Sequence, residues 1–474
     1  MFKSRPSYIT LIVFIISLYL IYLLTIEGEV IPALIFACLP AIMLCSVKIS
    51  QNQYYFYFFF IANYLIMGIS RYIPMKTGMV MLGLSLAVAI IFFLKSIFKP
   101  YDWKRCVNLL TVSWTIWFIY CLFELFNPQG VNEAWFISIA GYALLPLLFA
   151  IITPILFTHF KNLKCFLVIW AFLTILAVLK SFWQKNFGFD SAELYWLFVE
   201  GGATTHIIYS GVRYFSFFSD AANFGITMGL SLTIFSISGF FVSSRRLKCL
   251  FWSTGFLSAY GLIISGTRSA VVVPIVGLIV YVILCKNLKY TLLSGSILLV
   301  LLLFLTQTHI GNGNALIRRM RSTFDKEDAS LQVRYINKEK MTPLMKNKPF
   351  GIGLGLSGSR ATRFNVKTKL SELPPDSLLT MYWIETGIVG LSLYLTLVVL
   401  VLLRAAYVTM FVIRNKHLKN IIYSIIAGLS GAFVAAYVND ITTYPNGVIM
   451  SILFAFLFTA PYYDKEFPQH EETN

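Results

Sequence analysis

Residues 249–285 read CLFWSTGFLSAYGLIISGTRSAVVVPIVGLIVYVILC. Two apolar runs, 249–266 and 269–285, meet at Thr267-Arg268 with almost no loop between them. As a helix, each is long enough to cross a hydrocarbon core of about 30 Å. Arg245, Arg246 and Lys248 precede the pair and Lys286 and Lys289 follow it, while the join carries only Arg268. Lys and Arg gather on the cytoplasmic side of membrane spans. The stretch therefore reads as a helical hairpin whose tip, with its arginine, faces outward.

Runs of this kind recur along the whole chain. Of its 474 residues, 58% are hydrophobic and only 12% charged, against about a quarter charged in soluble domains. The pattern predicts an all-α, polytopic transmembrane helical bundle of about fourteen spans, near 8–26, 31–47, 54–70, 78–94, 107–126, 135–158, 165–183, 223–243, 249–266, 269–285, 290–306, 388–413, 420–438 and 446–462. The first run follows Lys3 and Arg5 but is long and lacks a small-residue cleavage site, so it reads as a retained span. The seven cysteines, Cys38, Cys45, Cys106, Cys121, Cys165, Cys249 and Cys285, lie in spans or at their inner ends. They point to neither a disulfide framework nor a zinc site. The net charge of +17 is dispersed over loops, which argues against nucleic acid as its partner.

Basic residues fill alternate short connections: Lys48; Lys95, Lys99, Lys104 and Arg105; Lys161 and Lys164; then the two sets flanking the hairpin; then Arg414, Lys416 and Lys419. The other short connections hold only Arg71 and Lys76. Both termini are thereby expected in the cytoplasm. Two long segments fall outside. One, about 184–222, begins with an aromatic-rich stretch (Phe187, Phe189, Trp196, Phe198) expected to lie in the membrane interface. The other joins the eleventh and twelfth spans and carries thirteen basic residues, Arg318 to Lys369. Most of these read as a solvated, headgroup-facing surface, though an outward basic surface also suits an anionic partner. The expected organisation is 1–183, N-terminal spans; 184–306, spans with arginine-bearing outer segments; 307–387, the large basic loop; 388–474, C-terminal spans and cytoplasmic tail.

Certain polar residues sit where apolar surroundings make them costly. Arg268 lies at the mouth of the hairpin, where an arginine needs a partner, and its guanidinium is able to grip phosphate oxygens in pairs. Arg213 precedes the eighth span and has no evident structural role, whereas Asp220 and Asn223 after it read first as a helix cap. Arg334 opens an amphipathic helix in the large loop that ends at Lys348-Pro349. The glycines of Phe350-Gly351-Ile352-Gly353-Leu354-Gly355 read as a tight turn, since no strand precedes them as a nucleotide loop requires. Asp376 and Ser377 open a helix on which Glu385 follows. Asp376 reads as a cap or, at the mouth of the bundle, as a proton acceptor. Asn439, Asp440 and Tyr444 lie in the last outer loop. His206 and His309 read as solvated loop residues.

Together these residues resemble the O-antigen ligase and polymerase family of bacterial membrane glycosyltransferases. Arg213 with Asn223 resembles the family's Arg…Asn element, and Ser265-Gly266-Thr267-Arg268 its Ser/Thr-x-Arg element. Arg334 followed by Pro349-Phe350-Gly351-Ile352-Gly353 resembles the stretch ending in Pro-x-x-Gly-x-Gly. Asp376-Ser377, nine residues, then Gly387-x-x-Gly390 resembles the end of the large periplasmic loop, with Asp376 where ligases carry histidine. The resemblance implies a donor glycan on undecaprenyl pyrophosphate in the bacterial inner membrane, and transfer on the periplasmic face to a growing glycan, lipid A core or protein hydroxyl. It implies Arg213, Arg268 and Asp376 as catalytic, and Arg334, Ser377, Asn223, Asp220 and Glu385 as substrate-binding. No metal or cofactor is implied, and a chain-length regulator is a further expected partner. The aspartate favours polymerisation over ligation. A transporter or flippase of lipid-linked glycans is the competing expectation. It predicts charges deep in many spans, whereas here polar residues gather at the outer face.

Overall fold

The computed structural model describes residues 53–467 except 74, 76, 99, 209–210, 287, 311–312, 314–316, 319–320, 322–328 and 376. The first two expected spans and Asp376 lie outside the described residues. Two compact units divide the chain at Phe60. The first is described only from Gln53 onward, and the second holds the bundle that follows.

Twelve long helices fall on the third to fourteenth expected spans: α1 Tyr54–Tyr72, α2 Thr77–Phe98, α3 Leu109–Phe123, α4 Asn132–Leu156, α5 Phe160–Phe187, α7 Ala221–Phe241, α8 Arg245–Ile264, α9 Arg268–Cys285, α10 Leu288–Thr306, α12 Leu378–Phe411, α13 Lys416–Ala435 and α14 Asn446–Asp464. Among the described residues, nine are long and apolar enough to cross a membrane. Two shorter helices lie in the outer segments, α6 Ser191–Phe198 and α11 Ala329–Met345. The protein is a multi-pass helical membrane protein. Helices dominate because a backbone in hydrocarbon must satisfy its own hydrogen bonds.

Burial ranks the helices. Helices α7, α13 and α14 bury 78% of their apolar windows, but α3 and α9 only 33%. The former make the centre and the latter leave much of their surface for lipid. Helix α7 packs on α8, α9 and α13, while α14 packs on α4 and α12 on α3. Small residues allow the closest approaches, as expected where lipid supplies no hydrophobic drive. A Cβ on Gly225 of α7 would sit 2.6 Å from Ser265 Oγ and 3.0 Å from Thr267 Cβ, so glycine there lets α7 reach the tip of the α8–α9 hairpin.

Two elements run past their expected limits. Helix α5 continues to Phe187, because nothing breaks it before Gly188 at φ +91°. Helix α12 starts within the expected loop and is interrupted at Gly387 (φ +69°, ψ −174°), so its second half begins where the span was expected. The cap of α12 is Ser377, in extended conformation with its side chain accepting from the Thr380 amide.

Candidate functional site

The segment between α6 and α7 is built around Arg213. A two-residue hairpin pairs Ile207 with Val212, and the Arg213 amide donates to His206 O at 2.8 Å. The Arg213 guanidinium donates to Thr205 O and to Thr267 Oγ1, both at 3.0 Å, and its Nε is buried without a hydrogen-bond partner. Thr267 Oγ1 in turn donates to Ala221 O at 2.8 Å. One threonine at the hairpin tip thus ties the arginine loop to the start of α7 and sets Arg213 beside the residue preceding Arg268. Burial pulls the Arg213 pKa down; Asp220 opposes that, while the charges of Arg268 and Arg334 act in the same direction as burial. Arg213 therefore lies beside the start of α9 and within electrostatic reach of Arg268 and Arg334.

Asp220 and Asn223 serve the start of α7. Asp220 Oδ1 accepts from the amides of Ala222 and Asn223 at 2.8 and 2.9 Å, and its Oδ2 from Asn223 Nδ2 at 2.7 Å. Asn223 Oδ1 accepts from Asn446 Nδ2 at 3.0 Å, which joins α7 to the start of α14. His206 is not the solvated loop residue expected, being only 2% exposed. Its Nδ1 faces Gly202 O at 2.9 Å and its Nε2 accepts from the Ala221 amide at 3.0 Å, so the neutral ring helps cap α7. Burial, aided by Arg213 and Arg71, pushes its pKa down to about 4. His309 is exposed, as expected.

Asn439 connects the remaining parts. Its amide donates to Ser269 Oγ next to Arg268, and its carbonyl accepts from the Leu378 amide at 3.1 Å, next to Ser377. The start of α9 and the start of α12 are thereby tied together. Arg334 and Ser377 line one cleft of about 300 Å³ between α11 and α12.

The glycine stretch after α11 and the break in α12 form one structure. Interrupting a helix frees carbonyls and amides that need partners. The Ile384 and Glu385 carbonyls accept from the amides of Ile352 and Gly353 at 3.0 Å, and the Val389 amide donates to Pro349 O at 3.2 Å. Gly351, Gly353 and Gly355 have φ of +77°, +97° and +80°. The turn predicted from the glycines is present, and its backbone completes the hydrogen bonding of a broken helix. Glu385 is fully buried beneath it. Its carboxylate accepts from Tyr142 Oη at 2.5 Å, from the Gly355 and Ser357 amides at 2.7 and 3.2 Å, and from Ser357 Oγ. Beside it Arg360, from the 3₁₀ turn Gly358–Phe364, pairs with Asp440 at 3.1 Å. Burial disfavours the Arg360 charge, but the oxygens of Tyr142, Glu385 and Asp440 outweigh that and keep the guanidinium protonated.

Of the eight candidate residues, the structure sets Arg213 against Thr267 next to Arg268, within electrostatic reach of Arg268 and Arg334, and sets Ser377 in the cleft with Arg334. It places Asp220, Asn223 and Glu385 in hydrogen-bond networks that hold the backbone. Sequence reasoning passed over Arg71. This guanidinium donates to the carbonyls of Ser216, Phe218 and Ser219 and stacks over Trp196 and Phe215, at 4.5 and 4.4 Å from the ring centroids. The available signal was its rarity, as one of only two basic residues in the outer short connections. Tyr142 carried no signal, since its partner Glu385 lies 243 positions away.

Residues 253–395 match the family model described as O-antigen ligase. The match begins in α8, takes in Arg268, Arg334 and the glycine stretch, and ends in α12 beyond the Gly387 break. The family resemblance expected from the motifs is thus borne out over that region. No curated protein matches the chain.

Proposed function

We propose, from the O-antigen ligase match and the three arginines, that this protein transfers a glycan from undecaprenyl pyrophosphate to an acceptor hydroxyl on the periplasmic face of the bacterial inner membrane. The observation that supports the reading is that Arg213, held by Thr267 next to Arg268, lies within electrostatic reach of both Arg268 and Arg334. Guanidinium groups within reach of one another suit a diphosphate, whose oxygens accept their paired hydrogen bonds. The tied N-termini of α7 and α9 add positive ends to the same region. As the glycosidic bond to the diphosphate breaks, negative charge grows on the leaving group, and preorganised cations stabilise that change most. In this role the arginines supply the charge that a metal ion supplies elsewhere.

Asp376, one residue before the cap of α12, accepts the proton of the incoming hydroxyl. The hydroxyl oxygen attacks the anomeric carbon from the side opposite the diphosphate, which inverts that centre. Asn223, Asp220 and Glu385 act through the backbone they hold, as positioning residues, and Ser377 fixes the helix end beside the base. Polymerisation of repeat units is favoured, with ligation to lipid A core or protein as the second outcome.

The test uses purified protein in detergent with a labelled undecaprenyl-pyrophosphate repeat unit and no other acceptor, and Asp376→Ala as control. A ladder of longer lipid-linked glycans that vanishes in the control is the expected result. Transfer only after adding lipid A core or protein would mean ligation. No reaction with any acceptor would overturn the reading in favour of a transporter.

A further inference from the structure

We infer that the Arg360–Asp440 ion pair is a positioning brace for the start of α12, fixing from both sides the segment that carries the base in the reaction proposed above, on which this role rests. The two residues share no element. Arg360 belongs to the 3₁₀ turn Gly358–Phe364, and Asp440 to the outer loop between α13 and α14.

Each partner stands beside one flank of residues 376–377. On one side the turn lies against Pro375: Gly358 has φ +54°, and an added Cβ there would run into Pro375 Cδ. On the other side the Leu378 amide donates to Asn439 O at 3.1 Å, and Asn439 immediately precedes Asp440. The Arg360 guanidinium donates to Asp440 Oδ2 at 3.1 Å and joins the two sides. Contacts thus run in a ring, from Pro375 through Gly358, Arg360, Asp440 and Asn439 to Leu378.

Both halves of the ring have firm footings. The turn follows Ser357, whose amide and hydroxyl donate to the buried Glu385 carboxylate on α12. Asp440 Oδ1 accepts from the Thr442 amide at 2.8 Å and from Thr442 Oγ1 at 2.6 Å, and its Oδ2 from Thr443 Oγ1 at 3.2 Å. The carboxylate is therefore oriented by its own loop and offered to the arginine. Asn439 Nδ2 also donates to Ser269 Oγ, which anchors the same ring beside Arg268. The Arg360 and Asp440 side chains are 40% and 23% exposed, and ion pairs open to solvent stabilise a fold little. Geometry is another matter, since misplacing a catalytic group by about an ångström costs up to about a hundredfold in rate.

The bond to Asp440 uses one guanidinium nitrogen and one carboxylate oxygen. A lysine ammonium is able to make it, but does not replace a guanidinium that grips phosphate through paired hydrogen bonds. The test measures glycan transfer by the full chain in lipid nanodiscs over a range of donor concentrations. It compares wild type with Arg360→Gln, Asp440→Asn, the double variant and Arg360→Lys. Each neutral single variant is expected to lower kcat by about tenfold or more with donor KM unchanged. The double variant is no slower than the slower single, because the pair acts as one device, and Arg360→Lys retains most of the rate. Hydrogen exchange gives a readout independent of transfer: the Leu378 amide exchanges faster in both neutral variants than in wild type.

A raised donor KM, with lysine as damaging as glutamine, would make Arg360 a donor-binding group and overturn the brace. Unchanged exchange at Leu378, or single losses that multiply in the double variant, would overturn it as well. Failure of wild type to transfer glycan to any acceptor overturns the reaction proposed above, and the role of the brace in it, whatever the exchange shows.

Discussion

At the scale of the residue, the most telling groups are those whose neighbours are already settled. His206 is neutral, buried and bonded through both ring nitrogens. Its folded pKa of about 4 lies below the ordinary imidazole value of about 6.5. The unfolded chain therefore binds a proton the folded chain does not between these values, so stability is full above about pH 6.5 and falls as pH drops toward 4. The loss is on the order of 3 kcal/mol. Thermal unfolding of the purified protein between pH 7 and pH 4.5 checks it: the midpoint of wild type falls, and that of His206→Gln, lower at pH 7, changes less with pH. Glu385 makes a second case. Glutamine in its place turns an amide donor toward hydroxyl and backbone donors, leaving buried groups unpaired at a cost of about 1–3 kcal/mol. Limited proteolysis should then cut Glu385→Gln faster than wild type within 346–377 while the flanking helices survive.

At the scale of the element, the break in α12 and the glycine stretch are each other's explanation. The Gly387 conformation favours glycine, and an added Cβ would run into the Pro349 carbonyl. Gly387→Ala should therefore undock the stretch: glycan transfer falls by at least about tenfold, the effect of a shift of about an ångström in catalytic geometry, while helix content by circular dichroism is kept. Unchanged transfer would mean that docking does not position the site. Here the limits of sequence reading are physical. Apolar length foretold the helices, because lipid leaves the backbone little choice, and the glycines foretold a turn. Neither told that the turn would complete a helix, since Ile352 and Ile384 are brought together only by the tertiary fold. Asp220 read as a cap because its partners are two and three residues away. Arg213 read as unattached because Thr267 is 54 positions away.

At the scale of the whole molecule, one charge pattern sets which face carries the chemistry. Exposed Cys165 and Cys249 lie in the second turns of α5 and α8, near basic connections assigned to the cytoplasm. A membrane-impermeant thiol reagent should label both in inside-out vesicles and neither in intact cells, read by mass spectrometry of their peptides. Labelling from outside would invert the assignment. With that orientation, Arg213, Arg268, the tied helix starts and the cleft all belong to the outer face, where the proposed lipid-linked donor would present its diphosphate. The most direct measurement is release of undecaprenyl pyrophosphate from a labelled donor by wild type and by Arg213→Lys, Arg268→Lys and Arg334→Lys. Lysine keeps the charge but loses the paired hydrogen bonds. Each variant is predicted to slow release by about a hundredfold, the scale of losing one preorganised donor to a developing anion. Release at the wild-type rate in all three would contradict the account.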